Sequence, residues 1–578
     1  MNNKITHSAI VLLLVVISAC SNDNSAATSD DSAKSEYADI VFRGGPVYTM
    51  DVNRSWATAV AVRDGIIVYV GQDAAVAQYQ GPATKVVNLE GHMLMPSFQD
   101  IHIHPIGSGM QAATVDLSDL NNLEEYIAAI AQYAEANPDV GWILGGGWSM
   151  SVFGPGALTD KRLIDAVVSD RPVYLTSSDG HSGWANSKAL ELAGIALTTE
   201  DPISGRIDRD PVSREAIGSL QEGAMGLVEA HIPPATLETR TGGLRYAIEL
   251  LNSYGITAIQ DAIVYPVDLE AYRSLDGRGE LSLRVVASMW WDRDLGLEQI
   301  DTFIQQRDTF TNGRVNAGTV KIMQDGVLEN FTAAVLEPYL GQGDVKGIPM
   351  VEPEFLKQAV TALDAADFQV HFHAIGDAAI RQCLDAVEAA IAANGDQRLR
   401  HHISHLQLID PADIPRFREL GVIANFQPLW AYADAYITEL TIPFLGEERS
   451  RWLYPIRSVV NSGAMIAFGS DWSVSSANPL HQIETAVTRT DALADDAPFI
   501  PQETIDLPTA LAAFTINAAY VNGIEKLTGS VEVGKAADLI VLDRNLFDIP
   551  LKELSDTQVL LTLLDGEAVH GDPTRLPQ

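Results

Sequence analysis

Two histidines, His102 and His104, stand one residue apart at the end of the run Met95-Pro-Ser-Phe-Gln-Asp-Ile-His-Ile-His-Pro105. Successive side chains of a strand point to opposite faces, so the two share a face and can grip one cation from adjacent pleats. Further candidates each close an apolar run of strand length: Lys321 in Gly-Thr-Val-Lys-Ile-Met, His373 in Phe-Gln-Val-His-Phe-His, His405 in His-His-Ile-Ser-His, and Asp471 in Met-Ile-Ala-Phe-Gly-Ser-Asp. Imidazole and carboxylate donors suit Zn²⁺ or another divalent ion. An ammonium group is electrostatically unfavourable beside such an ion. Lys321 is therefore either a ligand in a different chemical form or an ordinary lysine paired with Asp325.

These residues need a scaffold that brings strand ends together. Helix-like segments separate the apolar runs, and polar residues recur at the C-terminal ends of the strands, where a (β/α)8 barrel keeps its chemistry. After the His-x-His strand come Ile256–Gln260, Leu283–Ser288, the Lys321 strand, the His373 strand, the His405 strand, Val422–Phe426 and the Asp471 strand, which makes eight. The stretches Glu354–Asp367 and Ala378–Ala393 carry apolar stripes at helical spacing and read as the outer ring. The reading is an α/β chain, a TIM barrel over residues 96–525, with an insertion at about 110–240.

The order of candidates on strands one, four, five, six and eight resembles the amidohydrolase superfamily. Lys321-Ile-Met-Gln-Asp325-Gly, His373-Ala-Ile-Gly-Asp377, Gly180-His181-Ser-Gly-Trp-Ala-Asn186-Ser-Lys-Ala-Leu190 and Gly469-Ser-Asp471 are similar to its amidohydrolase-3 branch, which includes N-substituted formamide deformylases. The resemblance implies hydrolysis of a non-peptide C–N bond of a small-molecule amide. It further implies two Zn²⁺ ions held by His102, His104, His373, His405 and Asp471 and bridged by a carbamylated Lys321, with Asp471 moving the proton. Three alternatives stay open at this point: an esterase or lactonase, a mononuclear deaminase of the same superfamily, and a non-enzymatic lipid-anchored binding protein. The deaminase normally carries Glu three residues after the strand-five His, where this chain has Gly376.

Both chain ends add short strands. Ile40–Gly44, Pro46–Met50, Ala59–Val62 and Ile66–Gly71 at the front match Gly529–Gly534, Ala537–Leu542 and Val559–Leu564 at the back. They predict one β-sandwich built from residues 38–95 and 526–578. Ahead of it, Lys4, the apolar run Ala9–Ile17 and Ser18-Ala19-Cys20 read as a lipoprotein signal (1–20), followed by a flexible tether (21–37). Nine apolar residues fall short of the about 20 needed to span a bilayer. Cys20 is then the lipid-bearing first residue of an exported, periplasm-facing protein whose only membrane contact is that anchor. Cys383, the other cysteine, sits on a helical pattern and reads as a buried apolar side chain.

A net charge of −38 excludes a phosphate-binding surface, and so nucleic acid as a partner, while 47% hydrophobic residues exclude a disordered chain. Within the insertion, His181, Trp148 and Asn186 are substrate-pocket candidates. His181 otherwise packs or caps locally, and Asn186 otherwise caps the helix from Ser187. Asp325 is placed to recognise substrate, to orient ligands or to cap a helix. His371, His401 and His402 are candidates to support the ligands from behind.

Overall fold

The computed structural model describes residues 37–576 apart from 119, 121, 495, 496 and 575. The signal segment with Cys20 and the tether lie outside the described residues.

All eight expected barrel strands form: Phe98–Ile103, Ile256–Val264, Arg284–Trp290, Val315–Met323, Gln369–Ala374, His402–His405, Ile423–Phe426 and Ile466–Phe468. Each pairs in parallel with the next in chain order. The first and last strands meet by other means. The Asp471 N–H donates to the His102 carbonyl at 2.7 Å. The Asp100 carboxylate accepts from the Ser470 N–H at 3.1 Å and from the His102 N–H at 3.0 Å. Gly469 permits this approach, since a Cβ there would lie 2.6 Å from the His102 nitrogen.

Period-two alternation explains how one strand serves both core and site. On strand five, Gln369, His371 and His373 share the inward face, and Val370, Phe372 and Ala374 share the face toward the helices. The outer helices Pro353–Ala365 and Asp377–Asn394 bury Leu356, Val360, Leu363, Ile380, Leu384 and Val387 against that layer. Cys383 is buried there as a free thiol, as expected.

Both chain ends contribute to one accessory unit. Its strands form a single hydrogen-bonded eight-stranded sheet in which Met93–Pro96, from the front, pairs antiparallel with Leu539–Leu542, from the back. Ile40, Phe42, Val60, Val62, Leu94, Leu539, Val541, Leu561 and Leu563 pack as one cluster on it.

The insertion is more ordered than its sequence suggests. Six strands between Val115 and Glu222 form a sheet of their own. Gly145 and Gly146 lie in the strand Ile143–Trp148, where neighbouring chain leaves no room for side chains. A Cβ at Gly145 would meet the Val115 carbonyl at 2.2 Å, and one at Gly146 would meet Thr176 Oγ1 at 2.4 Å.

Two pocket candidates turn out to build this sheet. Trp148 is fully buried, donates from Nε1 to the Leu175 carbonyl at 3.0 Å, and meets Phe153 edge-on. Asn186 is fully buried as the N-cap of Ser187–Leu192. Its Oδ1 accepts from the Ala189 and Val173 N–H groups, and its Nδ2 donates to the Val168 and Arg171 carbonyls. Removing all four bonds costs more than an ordinary cap. Asn186→Ala is expected to lower unfolding stability by about 2–4 kcal/mol in denaturant titration, with metal content per folded chain unchanged. A loss below about 0.5 kcal/mol would contradict the structural assignment.

Candidate metal centre

At the C-terminal mouth of the barrel, donor atoms of His102, His405 and Asp471 lie within 4.8 Å of one another, all three residues buried. Asp471 Oδ1 stands 2.9 Å from His104 Nε2 and 3.3 Å from His102 Nε2, and its Oδ2 stands 3.9 Å from His405 Nδ1. Despite these separations, Asp471 Oδ1 and His405 Nδ1 have no hydrogen-bond partner of acceptable geometry. Buried polar atoms without partners cost free energy, and several converging on one point fit a divalent cation. Backbone strain points to the same place. His405 and Asp471 hold left-handed φ angles of 81° and 56°, conformations that non-glycine residues adopt at a cost of order 1–3 kcal/mol where function over-determines them.

His373 and Lys321 flank this group. The His373 ring lies 4.3 Å from that of His405, centroid to centroid, while its Nε2 is 3.4 Å from the Gly326 carbonyl and 3.8 Å from Asp325 Oδ1. Lys321 is 2% exposed and forms no ion pair among the described residues, with Asp325 or any other carboxylate. Burial pulls its ammonium down to about 7, only partly opposed by Asp471. Asp325 is committed elsewhere: its carboxylate accepts from the N–H groups of Ile375, Gly376 and Ala334, each at 2.9 Å. It therefore ties the loops after strands four and five together and does not line the substrate cavity.

Support from behind comes from His371. Its Nε2 is 2.9 Å from His102 Nδ1 and 2.9 Å from Ser404 Oγ, and its Nδ1 is 3.0 Å from Ser288 Oγ. Strand register sets Lys321 beside His371 and His371 beside His402. The His402 ring packs 4.2 Å from that of His371, with both of its nitrogens unpartnered. His401 takes no part, since it accepts from the Val370 N–H and meets Asp364 below the strands.

Burial holds the His102, His371, His373 and His405 rings well below their ordinary pKa, with Lys321 adding to the effect at each. Burial also disfavours the Asp471 carboxylate, but His102 and His104 outweigh it and hold the group well below the usual carboxylate range. Neutral imidazoles around an ionised carboxylate are the protonation states a metal requires.

Above the centre is a cavity of about 440 Å³, floored by His373, His405 and Asp471. Of the sequence candidates from the insertion, only His181 reaches it. Its ring lies 5.2 Å from that of His373, and its Nδ1 is 3.0 Å from Glu222 Oε2. Burial opposes a charge on His181, but Glu222 outweighs it and pushes the imidazolium up to about 9. No motif marks Glu222, which ends the last strand of the insertion sheet and also accepts from Thr332 Oγ1 at 2.6 Å in the loop after strand four. Glu222 thus fixes both the His181 ring and the insertion against the barrel. Glu222→Gln is expected to lower kcat/KM by about 10–100-fold at unchanged metal content, as positioning partners typically do. Activity within threefold of wild type, measured at equal metal occupancy, would remove this role.

The profile of the amidohydrolase family (Amidohydro_3) matches residues 85–570. The chain is 33% identical over 547 residues to Protein LONG AFTER FAR-RED 3 of Arabidopsis thaliana, covering 92% of each chain. It is 28% identical over 548 residues to an N-substituted formamide deformylase of Arthrobacter pascens, covering 92% of this chain and 98% of that one. In fold it matches a metal-dependent hydrolase of Pyrococcus horikoshii OT3 with a TM-score of 0.70 at 24% identity, covering 89% of this chain and 99% of that one. Ligand-type residues at the barrel mouth, the eight-stranded parallel barrel and the family match over most of the chain agree: the protein belongs to the amidohydrolase family and is a hydrolase of carbon–nitrogen bonds other than peptide bonds.

Proposed function

We propose that this chain hydrolyses the amide of a small molecule at a two-metal centre held by His102, His104, His373, His405 and Asp471 and bridged by a carbamylated Lys321. The observation that carries the reading is the convergence of unpartnered His405 and Asp471 atoms with His102 beneath a substrate-sized cavity. Similarity to a formamide deformylase supports an amide as the substrate class. Divalent ions, Zn²⁺ by donor type, would when bound supply Lewis acidity to polarise a carbonyl and acidify water.

The protein's own groups do the rest. Ionised Asp471 accepts the proton of the attacking water and returns it to the departing amine. His181, steadied by Glu222, presents its Nε2 edge to the cavity, where a carbonyl oxygen gaining charge needs a donor. A neutral Lys321 amine adds CO2 with release of one proton, which yields the anionic group able to bridge two cations.

The deaminase alternative fits poorly. A Cβ at Gly376 would come 2.1 Å from the Ala334 carbonyl, so the glutamate that the alternative needs has no room there. For the chain's location, the apolar run Ala9–Ile17 and Cys20 support an exported, lipid-anchored enzyme.

Metal analysis of purified protein should find about two ions per wild-type chain and at most one in Lys321→Ala, with activity down by about 100-fold or more. Saturation at one ion in the wild type would sink the bridging assignment. Asp471→Asn should retain part of the metal and lose about 10³-fold or more in kcat, because it removes a proton acceptor. If its activity instead tracks metal content, as in His102→Ala, the proton-transfer role is wrong.

A further inference from the structure

The hydrolase reading leaves open what the rest of the substrate is, and the cavity wall bears on that. Besides the metal residues and the His181 imidazolium, which Glu222 already pairs, the wall carries Asp179, Glu329, Asp434 and Asp491, the rings of Trp430, Tyr432, Tyr436 and Tyr454, and no lysine or arginine. None of these four carboxylates forms an ion pair among the described residues. Arg489, behind Tyr454, is committed to the carbonyls of Phe499, Tyr454 and Leu453.

Each carboxylate has one oxygen engaged within the protein. Glu329, 4% exposed, takes both Gln407 Nε2 at 2.9 Å and Thr441 Oγ1 at 3.0 Å on Oε1. Asp434 Oδ1 accepts from the Ile437 N–H, and Asp491 Oδ1 from the Leu493 N–H. Asp179 Oδ1 takes Ser177 Oγ and the His181 N–H, while its Oδ2 is buried and accepts no hydrogen bond. Burial and mutual repulsion push Asp434 up to about 7, with Glu329 and Asp491 among the groups responsible. Such an array is costly when empty and is relieved by a positive guest.

That guest is not a bare metal ion held by these carboxylates: among the described residues, Asp179, Glu329, Asp434 and Asp491 belong to no cluster of three His, Cys, Asp or Glu donor atoms close enough to hold one. Carboxylates and aromatic rings bordering one cavity suit a larger organic cation, which is attracted by both.

We propose that the substrate is an amide whose other end bears an organic ammonium group, seated among Glu329, Asp434, Asp179 and the rings of Tyr436 and Tyr454. The proposal rests on the hydrolase reading, and two measurements keep the two apart. In calorimetry with the metal-loaded enzyme, benzyltrimethylammonium should bind about tenfold or more tighter than benzyl alcohol, and Glu329→Gln and Asp434→Asn should each remove most of that preference. In kinetics, mono-N-formyl-1,4-bis(aminomethyl)benzene should exceed N-formyl-4-methylbenzylamine in kcat/KM by about tenfold or more, and the same variants should lower that ratio at least fivefold. A neutral formamide turned over as well as the cationic one overturns the ammonium site and leaves the hydrolase standing. Variant-sensitive binding of benzyltrimethylammonium without turnover of either formamide supports the ammonium site and counts against the formamide chemistry. Failure of the cation to outbind benzyl alcohol overturns the proposal outright.

Discussion

The site depends on how the barrel closes. Strand eight is only three residues long and does not continue the ladder to strand one. Closure is carried by the Asp471 N–H on the His102 carbonyl and by Asp100, whose carboxylate grips Ser470 and His102. Two expected ligands, at opposite ends of the barrel sequence, are thereby joined through their backbones. Burial pushes the Asp100 carboxyl up to about 7 despite these donors. An acid placed there is costly, yet it sets the separation of His102 and Asp471 by hydrogen bonds rather than by loop packing. Any shift of this seam moves both donor atoms, and preorganised sites tolerate only fractions of an ångström.

Beneath the centre, the barrel is not filled by branched aliphatic layers. Gln260, Ser288, Thr319 and Gln369 form one hydrogen-bonded tier, and His371, Ser404 and Asn425 form another. Hydrogen bonds within such tiers restrict side-chain rotamers, although Gln260 Oε1 and both His402 nitrogens have no partner. The His102 ring is held by this chain of bonds, which leaves its Nε2 facing Asp471.

The insertion supplies what the barrel lacks. Its sheet carries His181 and Glu222 over the mouth, and Tyr436 fastens it from the far side by meeting the Met150 N–H and Ser178 Oγ. The cavity is thus enclosed by segments from unrelated parts of the chain, as expected where specificity is built on loops carried by a rigid scaffold.

Strand order and the residues at the strand ends were determined by the sequence alone, because alternation and the βα rhythm act over a few residues and show in the chain itself. His102, His104, Lys321, His373, His405 and Asp471 could be placed at or near strand ends for the same reason, and the fold brings His102, His405 and Asp471 together there. Only the tertiary structure decided what surrounds them. Trp148 and Asn186 have side chains suited to binding but are enclosed within the insertion sheet, and burial of that kind leaves no local signature. Glu222 pairs with His181 across 41 residues, and Tyr436 reaches Met150 across 286. Contacts of that range arise only when separate elements pack, so the strand-end candidates could be named from the chain, while their partners and the cavity they face came with the fold.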